Sequence, residues 1–555
     1  MSATPLLEIN ELWIKAGDQA LVKGLNLSLE AGKTLAIVGE SGSGKSLSSL
    51  ALMGLLPAGL DLEAEINFKG SSLLGLEEKE WSQIRGAQIA MVFQEPMSAL
   101  NPSMTCGKQV AEMLALHRDW SAKKIKEEVL GLFRKVELPR VEQIYDSYPH
   151  QLSGGQKQRV MIAMAVACKP SLLIADEPTT ALDVSVQAEI LKLLAELQKE
   201  FKMAMIFISH DLALVRDIAD EVLVMYQGEL KEYGPSEQVF NRPKDPYTKG
   251  LIACRPQADK PFRRLPLVKD FLAQKAPELE VLSRAKRIEK AEHYLKQTPL
   301  FEVKDLSKIY RQKKGILGKT EQVIGLKDFN LKIFPGESLG LVGESGSGKS
   351  TFGRLLVGLE KAVQGEIFYQ GKDIAHANST MWRNLHRDIQ IIFQDPFASL
   401  NPRIRIGEAV TEVLQQRRKQ SKAQAKQEAQ ELLEKVGLEA EFYSRYPHEF
   451  SGGQRQRIGI ARALALNPSF IVCDESVSAL DVSVQAQILN LLNDLKEEFG
   501  FTYLFISHDL QVVNYFCDRV VVMQKGQLVA IGISDELYKY PQEAYTKMLI
   551  EASPD

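Results

Sequence analysis

Short, almost wholly apolar runs punctuate the chain, and they come in pairs. LAIV at 35–38 matches LGLV at 339–342, and AMVF at 90–93 matches QIIF at 390–393. SLLIAD at 171–176 answers to FIVCD at 470–474, and AMIFIS at 204–209 to TYLFIS at 502–507. Runs this short with no polar face predict strands buried on both sides, as in an α/β sheet. Longer runs predict helices: SLSSLALMGLL at 46–56 with STFGRLLVGL at 350–359, and QKQRVMIAMAVA at 156–167 with QRQRIGIARALA at 454–465. No apolar run approaches the roughly 18 residues that a membrane helix needs, so a membrane role has to come through a partner.

The pairing extends to whole blocks. VGESGSGKS occurs at 38–46 and, letter for letter, at 342–350. VFQEPMSALNP at 92–102 matches IFQDPFASLNP at 392–402, and YPHQLSGGQKQR at 148–159 matches YPHEFSGGQRQR at 446–457. The offset is 304 at the first block, 300 at the second and 298 beyond, a drift that loop deletions explain. Such a period means a duplicated domain, not a solenoid. The expected domains are 1–256 and 300–555, and residues 257–299 form a charged, partly helical linker that could reach from one to the other.

Composition changes this picture little. At 555 residues the chain is too long for one core. A net charge of −3 argues against nucleic acid as a partner. Cys106, Cys168, Cys254, Cys473 and Cys517 are odd in number and never paired as C-x-x-C, so they read as reduced, mostly buried thiols. The start, MSATPLLEINELW, lacks the basic and apolar parts of a signal peptide.

The chemistry lies at the ends of the predicted strands. Gly39, Glu40, Ser41, Gly42, Ser43, Gly44, Lys45 and Ser46 lie between a strand and a helix, as do Gly343, Glu344, Ser345, Gly346, Ser347, Gly348, Lys349 and Ser350. Glycines there turn backbone N–H groups onto a β-phosphate, and the helix N-terminus adds partial positive charge. Lys45 and Lys349 are expected to reach the β- and γ-phosphates, and Ser46 and Ser350 to ligate Mg²⁺. Asp176–Glu177 and Asp474–Glu475 end apolar strands, and adjacent strand residues face opposite ways. The two acids can therefore serve different tasks: Asp176 and Asp474 are expected to hold Mg²⁺, usually through water, and Glu177 and Glu475 to polarise the attacking water. Gln94 and Gln394, counted with the Mg²⁺ ligands, and His210 and His508 end further strands and are expected near the γ-phosphate. Ser153, Gly154, Gly155 and Gln156 open a helix that forms a second anion-binding end, as do Ser451, Gly452, Gly453 and Gln454. Each domain's own glycine loop already holds its phosphates, so this end addresses a different nucleotide. His150 and His448 also repeat, and packing or loop capping is the expected role.

In this order, and twice, these motifs resemble the ATP-binding subunits of ABC transporters over essentially both domains. The resemblance implies two tandem P-loop NTPase domains, each with a RecA-like core, an antiparallel β subdomain and a helical signature subdomain. It implies ATP and Mg²⁺ as cofactors. It also implies an intramolecular dimer in which each ATP lies between the P-loop of one domain and LSGGQ or FSGGQ of the other. FQEPMSALNP with DEPTTALD, FQDPFASLNPR with DESVSALD, and the extensions KDPYTKGLI at 244–252 and QEAYTKMLI at 542–550 are similar to the fused twin ATPases of bacterial peptide importers. These serve oligopeptides, microcin C-type peptides or glutathione. The implied partners are two integral-membrane permease subunits and, indirectly, an extracytoplasmic solute-binding protein. The implied place is the cytoplasmic face of the inner membrane. In that family an aromatic residue stacks on adenine; Tyr310 stands there in the second half, but Ala16 does in the first, with Trp13 three residues earlier. Cys254 alone gives no iron–sulfur cluster.

A soluble twin-ABC ATPase acting on ribosomes is the alternative. Residues 257–298 hold ten Lys/Arg against six Asp/Glu, only mildly basic, and the PYT extensions favour transport. The segments 95–102 and 395–402 follow the γ-phosphate glutamines, and Met97, Ala99, Leu100, Phe397 and Leu400 are expected to form sockets for helices of the membrane partner.

Overall fold

The computed structural model describes residues 5–180, 182–257, 260–273, 279–313, 320–395, 399–418, 420–478 and 480–552. The chain divides into two compact units, Met1–Ile252 with Val268–Ala276 and Ala253–Leu267 with Pro277–Asp555. Each unit holds a four-stranded and a six-stranded sheet.

The six-stranded sheet of the first unit runs Glu229–Pro235, Glu221–Tyr226, Thr34–Val38, Ala204–Ser209, Leu172–Asp176, Ile89–Val92 from edge to edge. Only the Glu229–Pro235 edge strand is antiparallel. The second unit repeats the order with Gln527–Ile533, Arg519–Gln524, Ser338–Val342, Thr502–Ile506, Phe470–Asp474 and Ile389–Ile392. Thr34–Val38, Leu172–Asp176 and Ala204–Ser209 are buried at every residue, as continuous apolar runs covered on both faces require. The loops that leave these strands at their C-terminal ends form one rim, where such sheets bind ligands.

The four-stranded antiparallel sheets alternate instead. In Leu7–Ala16, Leu7 and Ile9 are buried, and then Leu12 and Ile14. A bulge between Ile9 and Leu12 absorbs the phase change, with Glu11 at φ 50°. Phe301, Val303 and Leu306 do the same around Asp305, at φ 48°. Their inner faces join the helix after the P-loop and the central strands in one core per unit.

A helical part completes each unit. Ala122–Lys135 starts at Ser121, whose Oγ accepts from Lys124 N, and buries Ile125, Val129, Leu132 and Phe133 as one stripe. Lys422–Lys435 starts at Ser421 and buries Ala425, Ala429, Leu432 and Leu433. The helices Gly154–Val166 and Gly452–Leu464 pack beside them.

The segment expected as a linker holds the helices Val268–Leu272 and Arg284–Leu295. Much of it packs on the second unit. Leu265 pairs its backbone with the Asn490 amide, at 2.9 Å from Leu265 N to Oδ1 and 2.8 Å from Nδ2 to Leu265 O. Arg287 Nε lies 3.0 Å from Asp535 Oδ2, Lys290 Nζ lies 3.1 Å from Asp518 Oδ1, and Ala291 is fully buried. The charges of this helix are thus partners of buried acids, not only a solvated face.

Candidate active site

Each P-loop joins the central strand of its sheet to a helix, Lys45–Leu52 in one unit and Lys349–Leu356 in the other. Gly39 has φ 152°, and a Cβ there would stand 2.1 Å from Met225 O, so only glycine fits. Gly343 is equivalent, at 2.2 Å from Met523 O. Both lysines are buried. Lys45 Nζ donates to Gly39 O at 2.7 Å and to Glu40 O at 2.9 Å; Lys349 Nζ donates to Gly343 O at 2.6 Å and to Glu344 O at 2.9 Å.

The residues singled out at the strand ends meet beside these loops. Ser46 Oγ donates to Asp176 Oδ1 at 3.2 Å, and Ser350 Oγ to Asp474 Oδ1 at 2.8 Å. Burial pushes both aspartates up, opposed by the serine hydroxyls. A hydroxyl beside a buried carboxylate is an oxygen pair of the kind Mg²⁺ accepts. The next residues, Glu177 and Glu475, take φ 47° and 48°. That left-handed turn costs strain, of the kind found at functional sites.

On Glu177 Oε2 converge Gln94 Nε2 at 2.9 Å, Thr180 Oγ1 at 2.9 Å and His210 Nδ1 at 3.3 Å. Burial alone would raise this carboxyl, but His210 and Thr180 outweigh it and bring it to about 2. In the second unit Gln394 Nε2 donates to Glu475 Oε2 at 2.8 Å, and His508 Nδ1 lies 3.6 Å away. Ser478, the counterpart of Thr180, donates to the Glu475 backbone carbonyl at 2.8 Å and not to the carboxylate. Glu475 is lowered as well, with His508 outweighing burial. His508 is raised, because Glu475 outweighs its burial. The two units therefore carry the same glutamate, glutamine and histidine, with one more donor on the first glutamate. Thr180 was not singled out from the sequence; its place three residues after the glutamate was the available signal.

The signature serines cap their helices. Ser153 Oγ accepts from Gln156 N at 3.3 Å, and Ser153 N donates to Gln156 Oε1 at 3.1 Å. Ser451 and Gln454 repeat this at 3.4 and 3.0 Å. Gly154 and Gly452 stand in open surroundings, with the nearest atoms to an added Cβ at 3.7 and 3.9 Å. Gly155 and Gly453 do not: an added Cβ would meet Val186 at 3.0 Å and Val484 at 2.3 Å. A bulky residue at Gly453 would thus disturb its own unit first.

Tyr310 lies opposite Val323 in its hairpin, with its hydroxyl 3.3 Å from Thr351 Oγ1, one residue after the P-loop serine. Ala16 lies opposite Gln19 at the matching register. Trp13 packs on Gly24 of the outer sheet and donates to Glu11 Oε2 at 3.3 Å. His150 stacks on Tyr148 and His448 on Tyr446, with centroids 5.7 and 5.8 Å apart.

Of the residues expected as sockets, Met97 is 61% exposed, Leu100 and Leu400 are buried, and Phe397 lies outside the described residues. A cavity of about 530 Å³ opens in the second unit beside the edge strand Ile389–Ile392, lined among others by Phe393, Ser399, Asn401, Ile404, Val413 and Arg462. Tyr247 and Tyr545, in the two carboxy-terminal extensions, reach the P-loops, where Glu40 N and Glu344 N donate to their hydroxyls at 3.2 and 3.3 Å. No motif places these tyrosines at the site, although the YTK repeat in both extensions marks them.

Comparison with known proteins agrees with this geometry. The family model described as ABC transporter matches residues 22–180 and 326–478, and that of the oligopeptide/dipeptide transporter C-terminal region matches 231–280. The chain is 48% identical over 550 residues to the glutathione import ATP-binding protein GsiA of Escherichia coli strain K12, covering 96% of this chain and 86% of that one. The GsiA of Shigella flexneri is 47% identical over the same shares. With two complete P-loop clusters, two signature helices and these matches over nearly its whole length, the chain belongs to the ABC transporter ATP-binding family and is an ATPase of that family.

Proposed function

We propose that this protein energises a bacterial ABC importer for peptides or peptide-like solutes such as glutathione, from the cytoplasmic face of the inner membrane. The single observation that carries this reading is the near full-length likeness to glutathione import ATPases, including the peptide-transporter region at 231–280. Among the described residues no helix is long and apolar enough to cross a membrane, so the pore belongs to partners. Two permease subunits fit that need, with a solute-binding protein acting outside.

Each unit supplies one nucleotide's P-loop side. Lys45, Ser46, Asp176, Glu177, Gln94 and His210 serve one ATP, and Lys349, Ser350, Asp474, Glu475, Gln394 and His508 the other. Ser46, Asp176 and Gln94, or Ser350, Asp474 and Gln394, would hold Mg²⁺, which would supply screening of the phosphate charge. Glu177 and Glu475 stay ionised at neutral pH, as a group that orients and deprotonates water must. Ser451, Gly452 and Gly453 are proposed to complete the site of the first P-loop, and Ser153, Gly154 and Gly155 that of the second. Tyr310 is proposed to stack on the second adenine. The exposed Met97 and the cavity beside Phe393 support docking of a permease helix at each unit.

Purification of the full chain from membranes tests the assignment. A membrane permease should accompany it, and ribosomes should not; recovery with ribosomes alone would overturn the transport reading. For the composite sites, Gly452→Asp should weaken ATP held by Lys45, because position 452 is open within its own unit. If it weakened only ATP held by Lys349, each unit would work alone.

A further inference from the structure

We propose that Tyr247 and Tyr545 are positioning residues for nucleotide binding, each holding the peptide plane on which its P-loop lysine rests. The plane in the first unit is the Gly39–Glu40 peptide. Its N–H donates to Tyr247 Oη at 3.2 Å, and its carbonyl, Gly39 O, accepts from Lys45 Nζ at 2.7 Å. The second unit repeats both contacts on the Gly343–Glu344 peptide, at 3.3 Å to Tyr545 Oη and 2.6 Å from Lys349 Nζ. A trans peptide is planar, so whatever turns its N–H turns its carbonyl too. The glycine on one side has the backbone freedom to let that plane rotate. The hydroxyl on the other side restrains it.

The first tyrosine is itself held. It is fully buried, and its ring stacks on Tyr226 with centroids 4.2 Å apart. Its backbone N donates to Asp245 Oδ1 at 2.7 Å, and the buried Glu232 carboxylate accepts from Lys244 N at 2.9 Å and Asp245 N at 3.1 Å. Tyr545 is only partly buried, and Gln524 stands where the first unit has Tyr226. The hydroxyl of the first unit is therefore the more firmly placed. When ATP enters, the lysine turns at least one of its three N–H donors to phosphate oxygens while the loop keeps its shape. A loop ordered beforehand binds more tightly than one ordered by its ligand. The extension that contains Tyr247 thus acts on the ATP site, a role its likeness to a peptide-transporter region does not state.

The test uses the full-length chain with Mg-ATP. Tyr247→Phe removes one oxygen and keeps the ring. It should raise Kd and KM for ATP by about 3–10-fold, the worth of one hydrogen bond, while kcat stays within about twofold. Tyr545→Phe should act in the same direction more weakly, and it is the variant to read if Tyr247→Phe does not fold. Unchanged ATP affinity in both variants would overturn the proposal. So would equal falls in kcat and melting temperature with no change in KM, which would mark the tyrosines as braces of the fold. The inference rests on the loops being ATP cradles. Normal ATP binding by a Lys45→Ala, Lys349→Ala double variant would overturn that reading, whereas normal binding by Tyr247→Phe alone leaves it standing.

Discussion

Replacing Glu177 by glutamine separates binding from chemistry. The side chain is 11% exposed, and its Oε2 receives Gln94, Thr180 and His210. Glutamine is isosteric and keeps an acceptor oxygen, so the neutral Gln94 and Thr180 contacts can persist. What goes is the charge, and with it the base. ATP binding should change by no more than about threefold, since the phosphate cradle of Lys45 and the loop amides is untouched. Turnover should fall by about 10²–10⁴-fold, the worth of one positioned base, or about 3–5 kcal/mol of barrier. The wild-type carboxyl titrates at about 2, well below its ordinary 4.5. A depressed carboxyl contributes stability that is complete above its unfolded pKa and lost as pH falls through the folded one. The variant should therefore be less stable than the wild type at neutral pH, with the gap closing only between about pH 4.5 and 2. Single-turnover hydrolysis, equilibrium Mg-ATP binding and thermal unfolding of Glu177→Gln and Glu475→Gln measure all three effects. Near wild-type turnover in either variant would show that its glutamate is not the base. Loss of binding in proportion to turnover would show a structural role.

Three further outcomes follow from particular contacts. His508 is raised by Glu475, so the pair stabilises the second unit below about pH 6.5 and loses this as pH rises through the raised value. Glu475→Gln should shift the His508 imidazole titration downwards in an NMR pH series. Tyr310→Ala should weaken ATP binding at the second unit by ~1–3 kcal/mol, the worth of a base–aromatic stack, whereas Trp13→Ala should leave binding unchanged. Arg287→Ala strips a partner from buried Asp535 and should destabilise the second unit by about 3 kcal/mol, seen as a lower melting transition and faster proteolysis near Arg284–Leu295.

Much of the architecture was legible in the order of apolar runs and motifs. A strand buried on both faces has to be apolar throughout, so Leu172–Asp176 and Phe470–Asp474 stand out at any distance from their neighbours. A phosphate cradle has to be contiguous, because its ligands are successive backbone amides, so Gly39–Ser46 is readable in one line. The meeting of Gln94, Asp176, Glu177 and His210 could be expected through their shared place at strand ends, and that of Ser46 with Asp176 through the P-loop motif. The sequence did not settle which atoms share one carboxylate oxygen. That Thr180 turns to the Glu177 carboxylate while Ser478 turns to the Glu475 backbone carbonyl depends on side-chain geometry three residues past a strained turn. It did not tell that the charged stretch after residue 257 lies on buried acids of the second unit, because Arg287 and Asp535 are 248 residues apart and amphipathic spacing alone also fits a solvated helix. Nor did it bring Tyr247 to the P-loop. The hydroxyl and the Glu40 amide are 207 residues apart, and only the packed sheet, by carrying the carboxy-terminal extension back to the rim where the P-loop begins, puts them within a hydrogen bond.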